Sequence, residues 1–189
     1  MSEGLLKELI DDAGDRMHKA VEAIRHEMGT VRTGRASPAL LDRVMVDYYG
    51  AQTPLRQLAS ISATEARLLT VTPYDKSSIK SIEKGILEAD LGLTPGNDGN
   101  VIRLTIPELT EERRKDLVKM VRAIAEEGRV AIRNVRRDIM HDLRELRDEG
   151  EVGADDEHRA EVELQKLTDD KVAELDGLLK GKEAEILEV

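Results

Sequence analysis

The sequence predicts an α+β protein, an elongated three-helix bundle interrupted after its first helix by a small α/β, β-rich insert. Apolar residues recur at three- and four-residue spacing over about 5–31, over 111–149 and again from Asp155 toward Ile186, which is the period of amphipathic helices. Over 32–106 that period gives way to short alternating runs separated by Gly, Pro and Asn. Charged residues make up 36% of the chain, there is no Phe or Trp, and there are only three Tyr, a composition suited to long exposed helices packed through Leu, Val, Ile, Ala and Met.

The first helix carries its stripe on Leu6, Ile10, Ala13, Met17, Ala20, Ile24, Met28 and Val31. Gly14 and Gly29 weaken it, each by ~1 kcal/mol relative to Ala. Thr33 to Pro38 breaks the pattern. Val44, Val46 and Tyr48 then alternate with polar residues as in a strand, which Gly50 ends. At least one ring of Tyr48-Tyr49 is expected in the core. Thr53-Pro54-Leu55 and Ala59-Ser60-Ile61 read as short extended pieces, and Leu68 to Thr72 as a strand stopped by Pro73. Ser77 to Ala89 reads as a helix with Ile79, Ile82, Ile86 and Leu87 on one side. Thr94 to Gly99 is dense turn chemistry. A last strand holds Val101, Leu104 and Ile106 and closes at Pro107.

Thr110 is placed to cap the second long helix, and Glu111 and Glu112 favour its positive end. Leu117, Val121, Ile124, Ile132, Val135, Ile139, Leu143 and Leu146 form its stripe, and Gly150 and Gly153 end it. In the third helix Leu164, Leu167, Val172, Leu175, Leu178 and Ile186 face inward. A single helix cannot bury such a stripe, whereas three can bury one another's. Residues 1–31 and 107–189 are therefore assigned to the bundle, domain I, and 32–106 to the insert, domain II. The insert hangs on two chain crossings.

Several chemistries are excluded. Without cysteine there is no disulfide, thiolate metal site or Cys nucleophile. No apolar run reaches the ~18 residues of a membrane span, and the N-terminus lacks a signal-peptide pattern, so a cytoplasmic location is expected. His18, His26, His141 and His158 lack metal-ligand spacing, and no phosphate-loop or dinucleotide glycine pattern is present. Asp/Glu pairs occur throughout, and none marks a catalytic dyad. The chain is expected to bind rather than catalyse, without cofactor or metal.

The net charge of −10 argues at first against nucleic acid, but the acidity sits at the ends. Residues 1–30 hold 4 basic and 7 acidic side chains and residues 155–189 hold 5 and 12, whereas 110–154 balance at 11 and 11. Projected at roughly 100° per residue, the second long helix gathers Lys115, Lys119, Arg122, Arg129, Arg133, Arg136, Arg137, Arg144 and Arg147 in one arc. Glu111 and Glu126 fall within that arc, while Asp138, Asp142 and six other acids are projected onto the outer face beyond it. A solvated face of i,i+4 ion pairs is the ordinary alternative, but residues 128–137 contain four Arg and no acid. Arginine without lysine suits bidentate contact with phosphate. With so few aromatic rings to stack on bases, folded RNA is a better target than single strands. Acidic flanks would then repel wrong orientations. A helical adaptor binding an acidic protein through the same edge is the competing reading, distinguishable because its binding would survive RNA digestion.

Several stretches resemble the ribosome recycling factor family. They are RTGRASP at 32–38, DYYG at 47–50, TPLRQLA at 53–59, DLGLTP at 90–95, IPELTEERRK at 106–115 and RVAIRNVRRD at 129–138. The resemblance spans most of the chain and is loosest at its ends. It implies a tRNA-sized, L-shaped monomer that acts on ribosomes after termination. Its partners would be the ribosomal RNA of the large subunit and elongation factor G, whose GTP hydrolysis drives separation of the subunits. RNA contact carries over by position to Arg133, Arg136 and Arg137, and further to Arg129, Arg114 and Arg122. The crossings Val31, Arg32, Thr33, Gly34, Arg35 and Thr105, Ile106, Pro107, Glu108 would form a hinge between the domains.

Overall fold

A computed structural model describes residues 2–188. The elements run α1 (Ser2–Thr30), β1 (Met45–Tyr48), β2 (Ala51–Pro54), the single turn α2 (Leu55–Leu58), β3 (Ala59–Glu65), β4 (Leu68–Pro73), α3 (Ile79–Glu88), β5 (Pro95–Asn97), β6 (Ile102–Thr105), α4 (Glu111–Asp148) and α5 (Ala154–Leu187). Among the described residues the chain divides into two compact units, 2–31 with 115–184, and 32–114 with 185–188.

The first unit is helical. Ala13, Met17, Val21, Ile24 and Met28 of α1 share one core with Ile124, Ala125, Ile132, Val135, Ile139 and Leu143 of α4 and with Ala160, Leu164 and Leu175 of α5. Gly128 sits among them without room for a methyl group. A Cβ there would lie 2.6 Å from Ile24 Cγ1 and 2.9 Å from Leu175 Cδ1. The Thr110 side chain accepts from the Arg113 N–H at 3.1 Å, capping α4 as its sequence indicates. At the other end Gly150 takes φ +77°. There Glu151 N–H donates to the Leu146 carbonyl at 2.9 Å and Gly150 N–H to that of Arg147 at 3.0 Å, which satisfies carbonyls that the helix leaves open.

The second unit holds a four-stranded antiparallel sheet, in the order β3-β4-β6-β5, and the β1-β2 hairpin. Alternation puts Leu69 and Val71 of β4 opposite Leu104 and Ile102 of β6, all four buried. Val46, Leu55, Ile82 and Ile86 join the same core. Helix α3 lies so close to β1 that a Cβ on Gly85 would meet the Met45 carbonyl oxygen at 2.8 Å.

The structure departs from the sequence reading at five places. Pro95–Asn97, read as pure turn, forms edge strand β5 against β6, and an edge is the place in a sheet where proline is tolerated. Strand β6 begins at Ile102 and buries Ile102 and Leu104, while Val101 precedes it and donates its N–H to the Asp98 side chain. Leu55 starts a helical turn instead of extending a strand. Neither tyrosine ring of the hairpin enters the core: Tyr48 is half-buried and Tyr49, at the turn with φ +50°, is 82% exposed. Finally, the return boundary lies at 114/115 and not 106/107. The connecting segment belongs with the sheet, since Ile106 N–H donates to the Arg67 carbonyl at 2.8 Å, Glu108 pairs with Arg67 at 3.8 Å and Leu109 packs against Gly34.

Candidate nucleic-acid interface

Burial of Ile132, Val135 and Ile139 fixes the rotation of α4 in its middle third and so decides which side chains face outward. Arg133, Asn134, Arg136, Arg137, Asp138, Met140, His141, Asp142 and Arg144 line one open depression on that surface. Asp138 and Asp142, placed on a separate outer face by helix projection, therefore share a surface with the arginines. The Asp138 carboxylate does not stand alone, because Arg16 Nη2 of α1 lies 2.7 Å from its Oδ2.

The arginines of the arc differ in what they hold. Arg136 and Arg144 form no ion pair among the described residues, and Arg137 donates only to the Asn134 side-chain oxygen, at 3.1 Å. Arg133 reaches Glu126 at 3.4 Å and stays more than half exposed. Arg129 is engaged by contrast. It donates to Asp176 Oδ1 at 2.6 and 3.0 Å and to Glu126 at 3.0 Å, with its side chain one-fifth exposed. The Asp176 hydrogen bond raises its pKa further above the usual guanidinium value. Arg122 donates to Glu183 at 2.6 Å. Arg147 holds the buried Glu157 at 3.1 Å. Arg114 is half-buried in the first turn of α4, roughly 28 Å along the helix axis from Arg133 at 1.5 Å per residue.

The structure sorts the members of the arc that the sequence outlines. Arg133, Arg136, Arg137 and Arg144 come together on one surface. Arg122 and Arg129 are drawn to α5, and Arg114 lies elsewhere. The helix projection missed Arg16, Asp176 and Glu183, because their contacts join residues 122, 47 and 61 positions apart and leave no local signal.

The crossing residues also separate. Val31 N–H donates to the Met28 carbonyl at 3.1 Å and the side chain packs on the helical core, whereas Ala36 N–H donates to Ala66 at 2.7 Å within the sheet unit. Arg32 and Arg35 are exposed, Thr33 is buried, and Gly34 takes φ +77°. On the return, Thr105 is paired with Leu68, and Ile106 N–H donates to the Arg67 carbonyl. Pro107 and Glu108 remain in the connection. Among the described residues no three His, Asp or Glu are placed to hold a metal ion, and no helix is long and apolar enough to cross a membrane.

Comparison with known proteins gives one consistent family. The family model described as ribosome recycling factor matches residues 7–187. The ribosome-recycling factor of Rubrobacter xylanophilus is 59% identical over 180 residues, covering 95% of this chain and 97% of that protein. That of Bacillus subtilis is 55% identical over 183 residues, covering 97% and 99%. A solution structure of the ribosome recycling factor superposes with a TM-score of 0.73 at 42% identity, covering 97% of this chain and 98% of that one. A second structure is described as models for the T. thermophilus ribosome recycling factor and the E. coli elongation factor G bound to the E. coli post-termination complex. It gives a TM-score of 0.63 at 49% identity over 96% of this chain and 98% of that one.

Proposed function

Since the chain belongs to the ribosome recycling factor family, we propose that it binds the post-termination ribosome and, with elongation factor G and GTP, splits it into subunits and frees mRNA and tRNA. The carrying observation is the group of cations that α4 leaves available. Among the described residues Arg136 and Arg144 form no ion pair, and Arg137 donates only to the Asn134 side-chain oxygen, on a surface shared with Arg133. Guanidinium groups without intramolecular carboxylates keep their donors for phosphate, and Arg presents them as a planar fork. These four are assigned to ribosomal RNA of the large subunit. Arg129 and Arg122 are assigned to joining α4 to α5, and Arg114 to the start of α4.

The chain itself hydrolyses nothing in this reading. The RNA-facing helix anchors it in the cytoplasmic ribosome, and the sheet unit receives the force that elongation factor G generates from GTP. Residues 32–35 on the outward passage, with Pro107 and Glu108 on the return, are assigned as the hinge. The test is separation of purified post-termination ribosomes, followed by light scattering. Splitting is expected only when the chain, elongation factor G and GTP are all present. Equal splitting without the chain would overturn the proposal.

A further inference from the structure

We propose that Arg16, on α1, belongs to the RNA-binding surface as a positioning residue that neutralises Asp138. This rests on the assignment of the α4 depression to RNA.

Asp138 lines that depression beside Arg136 and Arg137. Its own helix gives it no permanent counter-charge, because the residues three and four positions away are Val135, Asn134, His141 and Asp142. An uncompensated carboxylate there would repel incoming phosphate and compete with it for the neighbouring arginines. The missing charge comes from another helix. Arg16 Nη2 lies 2.7 Å from Asp138 Oδ2, a charge-assisted hydrogen bond, while Nη1 is 3.6 Å from Asp12 on α1.

Stability does not account for this pair. The Arg16 and Asp138 side chains are 39% and 50% exposed, and ion pairs that open to water contribute little to folding. Their position matters more. Arg133, Arg136, Arg137 and Arg144 oppose Asp138 and Asp142 across one surface, and Arg16 cancels one of those two acids.

The test is equilibrium binding of the full chain to isolated large ribosomal subunits at two salt concentrations. The variants are Arg16→Ala, Asp138→Asn, the double variant and Arg136→Ala, each with its thermal midpoint. Arg16→Ala should weaken binding roughly three- to tenfold at the lower salt and less at the higher. Asp138→Asn should bind at least as tightly as the parent. The double variant should return to within about twofold of Asp138→Asn, since neutralisation is redundant once the carboxylate is gone. Parent-like affinity for Arg16→Ala would overturn the proposal. So would a double variant as weak as Arg16→Ala, which would mean that Arg16 touches RNA itself, and so would affinities that merely follow the thermal midpoints. If Arg136→Ala also binds like the parent, the RNA assignment of α4 falls with it. If Arg136→Ala is weak while Arg16→Ala is not, only the role of Arg16 falls.

Discussion

Gly14 and Gly128 both interrupt long helices, and their helix propensity is the same, yet the structure gives them opposite roles. A Cβ on Gly14 would meet nothing nearer than Leu167 Cδ2 at 3.8 Å, an ordinary contact. Gly14→Ala should therefore stabilise the chain by ~0.5–1 kcal/mol, the usual helix-interior gain. At Gly128 the new methyl would meet Ile24 and Leu175 at 2.6 and 2.9 Å inside the bundle core. Gly128→Ala should destabilise by ~1–3 kcal/mol through overpacking, even after the propensity gain. Denaturant unfolding of both variants checks the pair, and a shift of the same sign in both would contradict the packing argument. Such a difference could not be read from the sequence. Each glycine is locally a mild helix weakener, and only the approach of two other helices separates them. Tyr49 shows the same limit, because an aromatic residue beside a strand reads as core until the turn carries it outward at positive φ.

At the scale of an element, α4 was legible in outline and not in detail. Its length, its stripe and its cap follow from periodicity and from Thr110. Which of its arginines remain available follows from α5, whose Asp176 and Glu183 claim Arg129 and Arg122. This ranks the arginines. Arg136→Ala or Arg137→Ala should weaken large-subunit binding by ~1–3 kcal/mol and flatten its salt dependence by about one counterion. Arg122→Ala should cost clearly less in affinity, and a loss equal to that of Arg136→Ala would contradict the ranking. The β5-β6 turn gives an element-scale test of a different kind. Asp98 accepts from Asn100 N–H at 2.9 Å and Val101 N–H at 3.0 Å, and pairs with Arg103 at 2.7 Å. The Val101 hydrogen bond first, then those from Asn100 and Arg103, hold its carboxyl well below the usual carboxylate range. With the folded value depressed, the stabilisation is fully present above the unfolded value of about 3.9 and is lost as pH falls through the folded one. Asp98→Asn should lower stability by a constant amount from neutral pH to about 5, and the gap from the parent should close below about 4. A gap that widens in acid would contradict this sign. The strand beside this turn was hidden because Pro, Gly and Asn carry no strand propensity and β5 is defined only by pairing with β6.

For the whole molecule the proposed mechanism requires two separable tasks, holding RNA and transmitting force, and the chain leaves the helical unit after Val31 and re-enters it at Lys115. On the outward passage only 32–35 lies between Val31, packed on the helical core, and Ala36, bonded into the sheet unit. Gly34 is the residue there that another amino acid cannot imitate. Its φ of +77° disfavours any side chain, and a Cβ would lie 2.8 Å from Leu109 Cγ on the return passage. Gly34→Ala thus couples backbone strain of ~1–2 kcal/mol to displacement of the second link. Gly34 and Leu109 belong to the sheet unit and the arginines of the α4 surface to the helical one, so affinity for the large subunit should stay within about twofold of the parent. Subunit splitting with elongation factor G and GTP should slow, because that step alone asks the two units to move. Arg136→Ala should show the complementary defect, with weak binding and splitting that recovers when its concentration is raised. Measuring affinity and splitting rate for both variants across a concentration series separates the tasks. If excess Gly34→Ala restores the parent rate, its defect lies in binding, and residues 32–35 are a tether and not a hinge.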